Sequence, residues 1–214
     1  MALGISPFIM QATESAISIV LNRGLSIYGG DLYVGSMTIL QSVMQLIVIP
    51  IQGFTQGVQP IISYNFGARK FDRVKKTYRL TICFTFTVAT FLCILTLFFP
   101  GLFAGIFTSD QELIALVKKV MPIFMAGIAV FGIQMGCQTT FMGLGQAKIS
   151  LFIALLRKVI LLIPLALILP KFFGVMGIYY AEPISDITAA TTATIIFLCV
   201  RKRIVSEDAL KRLN

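Results

Sequence analysis

Three carboxylates inside apolar stretches are the side chains of this sequence best suited to chemistry. Glu14 lies ~10 residues into the first stretch, and Glu182 and Asp186 stand one helical turn apart in the last. A carboxylate inside a membrane is costly unless it is paired, protonated or hydrated, which makes it a candidate functional residue. Two other interpretations stay open. Glu14 could pair with Arg23 or lie near lipid headgroups, and Glu182 and Asp186 could reach the outer interface.

Amide and hydroxyl side chains recur along one face of several apolar stretches. On an ideal helix, at about 100° per residue, the glutamines of the second stretch fall within roughly 60° of one another. The first, second and fourth stretches together predict a water-filled substrate cavity lined by Gln11, Ser18, Asn22, Gln41, Gln45, Gln52, Gln134 and Gln138. The alternative is that these groups only join helices, at ~0.6 kcal/mol per contact. A whole row of amides on one face exceeds the reach of any single partner, which favours the cavity.

The composition requires much of the chain to face lipid. Hydrophobic residues make up 57% of 214 positions and charged residues only 13%, and the mean hydropathy is +0.90. A helix needs roughly 20 apolar residues to cross about 30 Å of hydrocarbon. The sequence therefore predicts an all-α integral membrane protein with six transmembrane helices at about 5–28, 33–66, 79–104, 116–142, 148–170 and 175–200.

Basic residues concentrate in two loops and at the C-terminal end. Six lie within 69–79, one is Lys148, and five lie within 201–212. By the positive-inside rule these segments, and with them both termini, are predicted to be cytoplasmic. The first span starts almost at the first residue and lacks the basic region and cleavage site of a signal peptide. Residues 1–205 are thus predicted to form a multi-pass domain of the cytoplasmic membrane, and 206–214 a short cytoplasmic tail.

The residue types exclude several classes of protein. The sequence has no histidine, and its four cysteines lie in apolar runs without a metal-ligand spacing. A zinc site or a histidine-based catalytic triad cannot form from these residues, so we expect neither an enzyme nor a bound cofactor. The net charge of +9 lies mostly in loops and at one end, so membrane lipids, and not nucleic acid, are the expected anionic partner.

A segment at the end of the second span resembles the repeat signature of the multidrug and toxic compound extrusion (MATE) family. It reads GFTQGVQPIISYNFGA at 53–68 and is followed by Arg69 and Lys70. Shorter segments agree with the same register, namely SPF at 6–8, GLGQ at 143–146, and Gly177 leading into EPISD at 182–186. The resemblance extends over nearly the whole chain.

This resemblance implies one six-helix lobe of a two-lobe transporter, the second of the two lobes. It implies that Na⁺ or H⁺ drives the export of organic, often cationic, small molecules, and that a complementary six-helix lobe is a partner. Glu14 matches the acidic position on the first helix of this lobe that family members use for ion or drug coupling. Where some members carry a second acid on the fourth helix, this sequence has Gln134 and Met135.

Two other functions fit parts of the sequence. A lipid-linked oligosaccharide flippase of the same superfamily would line its cavity with several basic residues, for which Arg23, Arg157 and Lys158 are the candidates. A half-length chain could also be a membrane fragment that transports nothing.

Overall fold

The structure, a computed structural model, describes the backbone of residues 2–204 and the side chains of residues 12–199. Within these ranges the chain is almost entirely helical and contains no β-strand. The α-helices are α1 (Ala2–Tyr28), α2 (Asp31–Gly67), α3 (Phe71–Phe98), α4 (Pro100–Phe107), α5 (Gln111–Phe124), α6 (Ile128–Gly143), α7 (Ala147–Leu155), α8 (Ile163–Phe173) and α9 (Met176–Ile204). A 3₁₀ turn, Met125–Gly127, joins α5 to α6, and a π-helical segment, Leu156–Leu162, joins α7 to α8.

Four helical stretches among the described residues are long and apolar enough to cross a membrane. They are α2, α3, the stretch from α5 through α6 (Gln111–Gly143) and the stretch from α7 through α8 (Ala147–Phe173). Large apolar side chains such as Phe91, Phe98 and Ile160 stay exposed on their surfaces. So much exposed apolar surface is stable against lipid and not against water. The chain is therefore a multi-pass membrane protein.

The predicted spans coincide with helices, except at one break. The predicted third span, 79–104, is divided at Phe99, whose backbone leaves the helical region with φ −125° and ψ 47°. Pro100 follows it, and a proline disfavours helical backbone at the residue before it, so α3 ends there and α4 starts anew. The predicted first and sixth spans correspond to α1 and α9, which are not among the four stretches.

Small residues allow α3 and α6 to pack closely. A Cβ atom added at Gly132 would lie 2.6 Å from the backbone oxygen of Thr85, and one at Gly136 would lie 2.9 Å from the Thr85 hydroxyl. This Gly-x-x-x-Gly pair therefore mediates a backbone contact that no larger residue permits. The pair Gly53 and Gly57 on α2 is different, because an added Cβ at either position would meet nothing within 4 Å among the described residues.

Helix α9 contributes side chains to both apolar core clusters. The larger core cluster includes Ile178 and Tyr179 from the first half of α9, packed with side chains of α1, α2, α5 and α8. The smaller cluster includes Ala193 and Phe197 from its second half, packed with α2, α3 and α6. The part of α9 between the two clusters carries Glu182 and Asp186, so the fold holds both carboxylates inside the bundle.

Candidate functional site

The π-helical segment between α7 and α8 presents two adjacent basic residues to two different helices. Arg157 is directed at α9, and Lys158 is directed at α1. Such segments widen a helix locally and occur frequently at functional sites. Here two consecutive residues pair with acidic residues on two different helices.

Arg157 binds both carboxylates of α9. Its Nη2 donates to Glu182 Oε1 at 2.8 Å, and its Nε donates to Asp186 Oδ1. All three residues are buried, and the Arg157 guanidinium lies 4.4 Å from the ring centroid of Phe131. A Cβ atom at Gly127 would come within 2.7 Å of the Asp186 Cβ, so this glycine makes room for the carboxylate. The result is a buried ion cluster that joins the α7–α8 stretch to α9.

Lys158 forms an ion pair with Glu14 of α1. This pair is less enclosed than the Arg157 cluster, because the Lys158 side chain is 20% exposed and the Glu14 side chain 48% exposed. Lys158 also interacts electrostatically with Glu182 and Asp186, so the two ion clusters are coupled. Glu14 therefore has one side against a lysine and another side open at the surface of the bundle.

The site carries more acidic than basic groups. Glu14, Glu182 and Asp186 face Arg157 and Lys158, so the fully ionised site has an excess of one negative charge. Asp186 Oδ2 is buried and accepts no hydrogen bond from the described residues, and the same holds for the amide oxygen of Gln134 on α6. Uncompensated buried oxygens of this kind favour the uptake of a proton or cation.

The predicted cavity-lining residues differ in their surroundings. Gln45 and Gln52 are exposed on α2, Gln134 is buried, and half-buried positions are Ser18, Asn22, Gln41 and Gln138. The side chain of Gln11 lies outside the described residues. Most of these polar groups thus stay open at the surface of the bundle, and a shared cavity stays a prediction.

The partner of Glu14 is the feature that sequence reasoning missed. Arg23, considered above because it lies on the same helix, is exposed and pairs with no acid among the described residues. Lys158 takes that place from a distant part of the chain, and no local spacing connects the two. A signal was present nonetheless: two adjacent basic residues interrupt the predicted fifth span, and charges inside a span require partners.

Known sequences and structures identify the family. The MatE family model matches residues 7–168. The multidrug export protein MepA of Staphylococcus aureus strain N315 is 28% identical over 208 residues, which cover 97% of this chain and 45% of that protein. MepA of Staphylococcus saprophyticus is 27% identical over 207 residues, again 45% of its length. The chain thus spans a little under half the length of the curated relatives it matches.

Solved structures of MATE transporters have the same fold over almost all of this chain. The MATE multidrug transporter DinF-BH superposes with a TM-score of 0.82 at 30% identity, over 95% of this chain and 46% of that one. A MATE transporter in a straight conformation superposes with a TM-score of 0.85 at 21% identity, over 98% of this chain and 46% of that one. Because the family model covers most of the sequence and the fold agrees along its length, the chain belongs to the MatE family of multidrug and toxic compound extrusion transporters.

Proposed function

We propose that this chain forms one six-helix lobe of a cation-coupled antiporter that exports organic, often cationic, compounds across the cytoplasmic membrane. The observation that carries the proposal is an ion-paired carboxylate, Glu14, with one open side in a chain of this family. Relatives named multidrug export proteins match it along 97% of its length. Because they are about twice as long, a complementary lobe is the proposed partner.

Length and charge support six crossings with both ends in the cytoplasm. The helices α1 and α9 contain 27 and 29 residues. At 1.5 Å per residue each is ~40 Å long, which exceeds the ~30 Å of hydrocarbon. Together with the four apolar stretches they make six crossings, and this even number agrees with basic residues at 69–79, at Lys148 and at 201–212 all lying on one side.

Exposed amides support a wet cavity on one side of the lobe. Gln45, Gln52 and Gln56 are exposed on α2, within a stretch that is otherwise apolar enough to cross the membrane. An amide facing hydrocarbon without a hydrogen bond costs ~4–8 kcal/mol, whereas one facing water costs nothing. We therefore assign this face of α2, with the half-buried Asn22 and Gln41, to a water-filled space between two lobes.

Glu14 is the group through which ion and substrate exclude each other. Its open side accepts a coupling Na⁺ or H⁺ or the positive group of a substrate, but the carboxylate cannot serve both at once. Binding of the ion from outside therefore releases the substrate, and loss of the ion to the cytoplasm restores the site. Such competition couples ion movement to substrate export, because the ion and the substrate each stabilise a different state of the same transporter.

The ion pairs argue against the flippase alternative. A cavity for a lipid-linked pyrophosphate needs unpaired basic groups. Arg157 is neutralised by two carboxylates and Lys158 by Glu14, which leaves the exposed Arg23 as the free one of the three candidates within the described residues.

The test is transport of a fluorescent cation by a Glu14→Gln variant. The chain, expressed with a complementary lobe, is reconstituted in vesicles, and ethidium transport is followed after an imposed Na⁺ or proton gradient. We expect Glu14→Gln to lose gradient-driven transport, since the amide binds neither ion nor cation strongly, while the amount of folded protein stays the same. The matched control is Glu112→Gln, which neutralises an exposed carboxylate in the first turn of α5. Normal gradient-driven transport by Glu14→Gln would contradict the proposal.

A further inference from the structure

We propose that Lys158 is a built-in competitor of the transported cation: its ammonium group occupies Glu14 when the site is empty and is displaced when a cation binds. The inference rests on the proposed function, since it takes Glu14 to be the cation-binding carboxylate. It assigns to Lys158 the role of setting the affinity of that carboxylate and of resetting it after release.

The two ion clusters differ in how easily they exchange partners. Arg157, Glu182 and Asp186 are all buried, so removing one partner leaves an uncompensated charge inside the protein. The pair between Lys158 and Glu14 is open on the carboxylate side, where a cation can approach and where solvent weakens the attraction. Only this pair can therefore open at low cost during a transport cycle.

A displaced Lys158 has a second place to bind. Its ammonium group already interacts electrostatically with Glu182 and Asp186 on α9. Asp186 Oδ2 is buried and accepts no hydrogen bond from the described residues, so the α9 carboxylates keep negative charge that Arg157 does not fully compensate. The four-carbon stem of lysine allows this movement while the neighbouring Arg157 stays in place. The excess negative charge of the site thus stabilises the lysine ammonium group whenever a cation is bound to Glu14.

Competition of this kind predicts a site that binds its cation more weakly but releases it readily. Each cation must first displace the lysine, so the apparent affinity falls by the factor that the ion pair contributes. When the cation leaves, the lysine returns to Glu14 and no bare carboxylate is left at the edge of the site. Removing the positive charge at position 158 should therefore tighten cation binding and slow release.

The test measures how fast dicyclohexylcarbodiimide modifies Glu14, read by mass spectrometry of the chain reconstituted in liposomes with the complementary lobe. The background carries Cys83→Ser and Cys199→Ser, which removes the exposed thiols and leaves the buried Cys93 and Cys137. In this background Lys158→Cys is treated with 2-aminoethyl methanethiosulfonate, which restores an ammonium group at about the length of lysine, or with methyl methanethiosulfonate, which does not. Lys158→Met repeats the neutral state without any thiol reagent.

We expect the neutral variants to be modified about five-fold faster than the parent, which corresponds to ~1 kcal/mol for the pair. The aminoethyl group should return the rate to that of the parent, and the methyl group should not. Tetraphenylphosphonium should protect Glu14 in every form, at about five-fold lower concentration in the neutral variants. The matched control is Arg23→Met, which removes a positive charge from α1 itself without removing a partner of Glu14.

Two failures can be told apart. Equal rates in the parent and in both neutral variants, an equal gain in Arg23→Met, or no difference between the aminoethyl and methyl groups would each overturn the role of Lys158. If neither Na⁺ nor tetraphenylphosphonium slows the modification of Glu14 in any form, the carboxylate binds neither a metal ion nor an organic cation. The proposed function then fails together with the inference.

Discussion

Replacing Arg157 with methionine isolates the energetic role of the buried ion cluster. The change leaves Glu182 and Asp186 inside the bundle without their main partner, at 7% and 0% exposure. Breaking a buried pair by removing one partner costs about 3–5 kcal/mol, because the remaining charge keeps its desolvation cost. Lys158 interacts with both carboxylates and offsets part of that loss, so we expect ~3 kcal/mol. For a chain of this length, that corresponds to a Tm lower by about 6–12 °C.

A thiol-reactive coumarin maleimide can follow this unfolding. The chain contains no tryptophan, but Cys137 is only 1% exposed and Cys93 is also buried, so both react when the fold opens. The exposed Cys83 and Cys199 are first replaced with serine, so that they do not react before unfolding. Heating the purified chain in detergent then gives a Tm for each variant. Arg79→Met, at an exposed site on α3, is the matched control and should change Tm by less than about 2 °C.

A triple variant distinguishes lost charge balance from lost packing. Combining Arg157→Met with Glu182→Gln and Asp186→Asn removes all the charges of the cluster and keeps the side-chain sizes similar. Because neutral amides have a far smaller desolvation cost than carboxylates, we expect the triple variant to regain at least half of the lost Tm. A triple variant as unstable as Arg157→Met alone, or a single variant within about 2 °C of the parent, would refute the electrostatic reasoning.

Two further outcomes test packing and water access. Gly132→Ala should lower Tm, because the added Cβ would press on the backbone oxygen of Thr85. Gly57→Ala has open space around it and should leave Tm unchanged or raise it through better helix propensity. Equal Tm changes in the two variants would contradict the described packing. In membranes, a cysteine replacing Gln52 should react with a charged thiosulfonate reagent and one replacing Phe91 should not. Both residues are exposed, but the proposed function places only Gln52 in water. Equal labelling rates would refute the wet face.

Helices can be predicted from this sequence because every segment that crosses lipid must pair its backbone hydrogen-bonding groups within itself. Apolar length predicted helices where the four long apolar stretches lie. It did not predict the break at Phe99 before Pro100, and proline alone does not encode such a break, because α2 continues through Pro50 and Pro60. Close packing at Gly132 could not be separated from the open pair at Gly53 and Gly57, because both have the same spacing. Which pair meets a neighbouring helix depends on the arrangement of helices.

The partners of the charged residues were also not predictable from spacing along the sequence. The sequence predicts that Glu14, Glu182 and Asp186 need partners, because charges are costly inside a span. On the same helix, the candidate partner of Glu14 is Arg23. The observed partner, Lys158, lies in the π-helical segment between α7 and α8, far from Glu14 in the sequence. Pairing between distant segments follows from tertiary packing, which no spacing within one helix encodes.

The exposed amides of α2 set a condition on how this lobe can exist in a membrane. If Gln45, Gln52 and Gln56 all faced hydrocarbon at ~4–8 kcal/mol each, the total would match or exceed the 5–15 kcal/mol that stabilises a typical domain. The face must therefore meet water or hydrogen-bonding protein. A second lobe across a wet cavity supplies both, and it would also enclose the open side of Glu14. The surface that makes a solitary lobe costly in lipid is thus the same surface that the proposed function assigns to the water-filled space between two lobes.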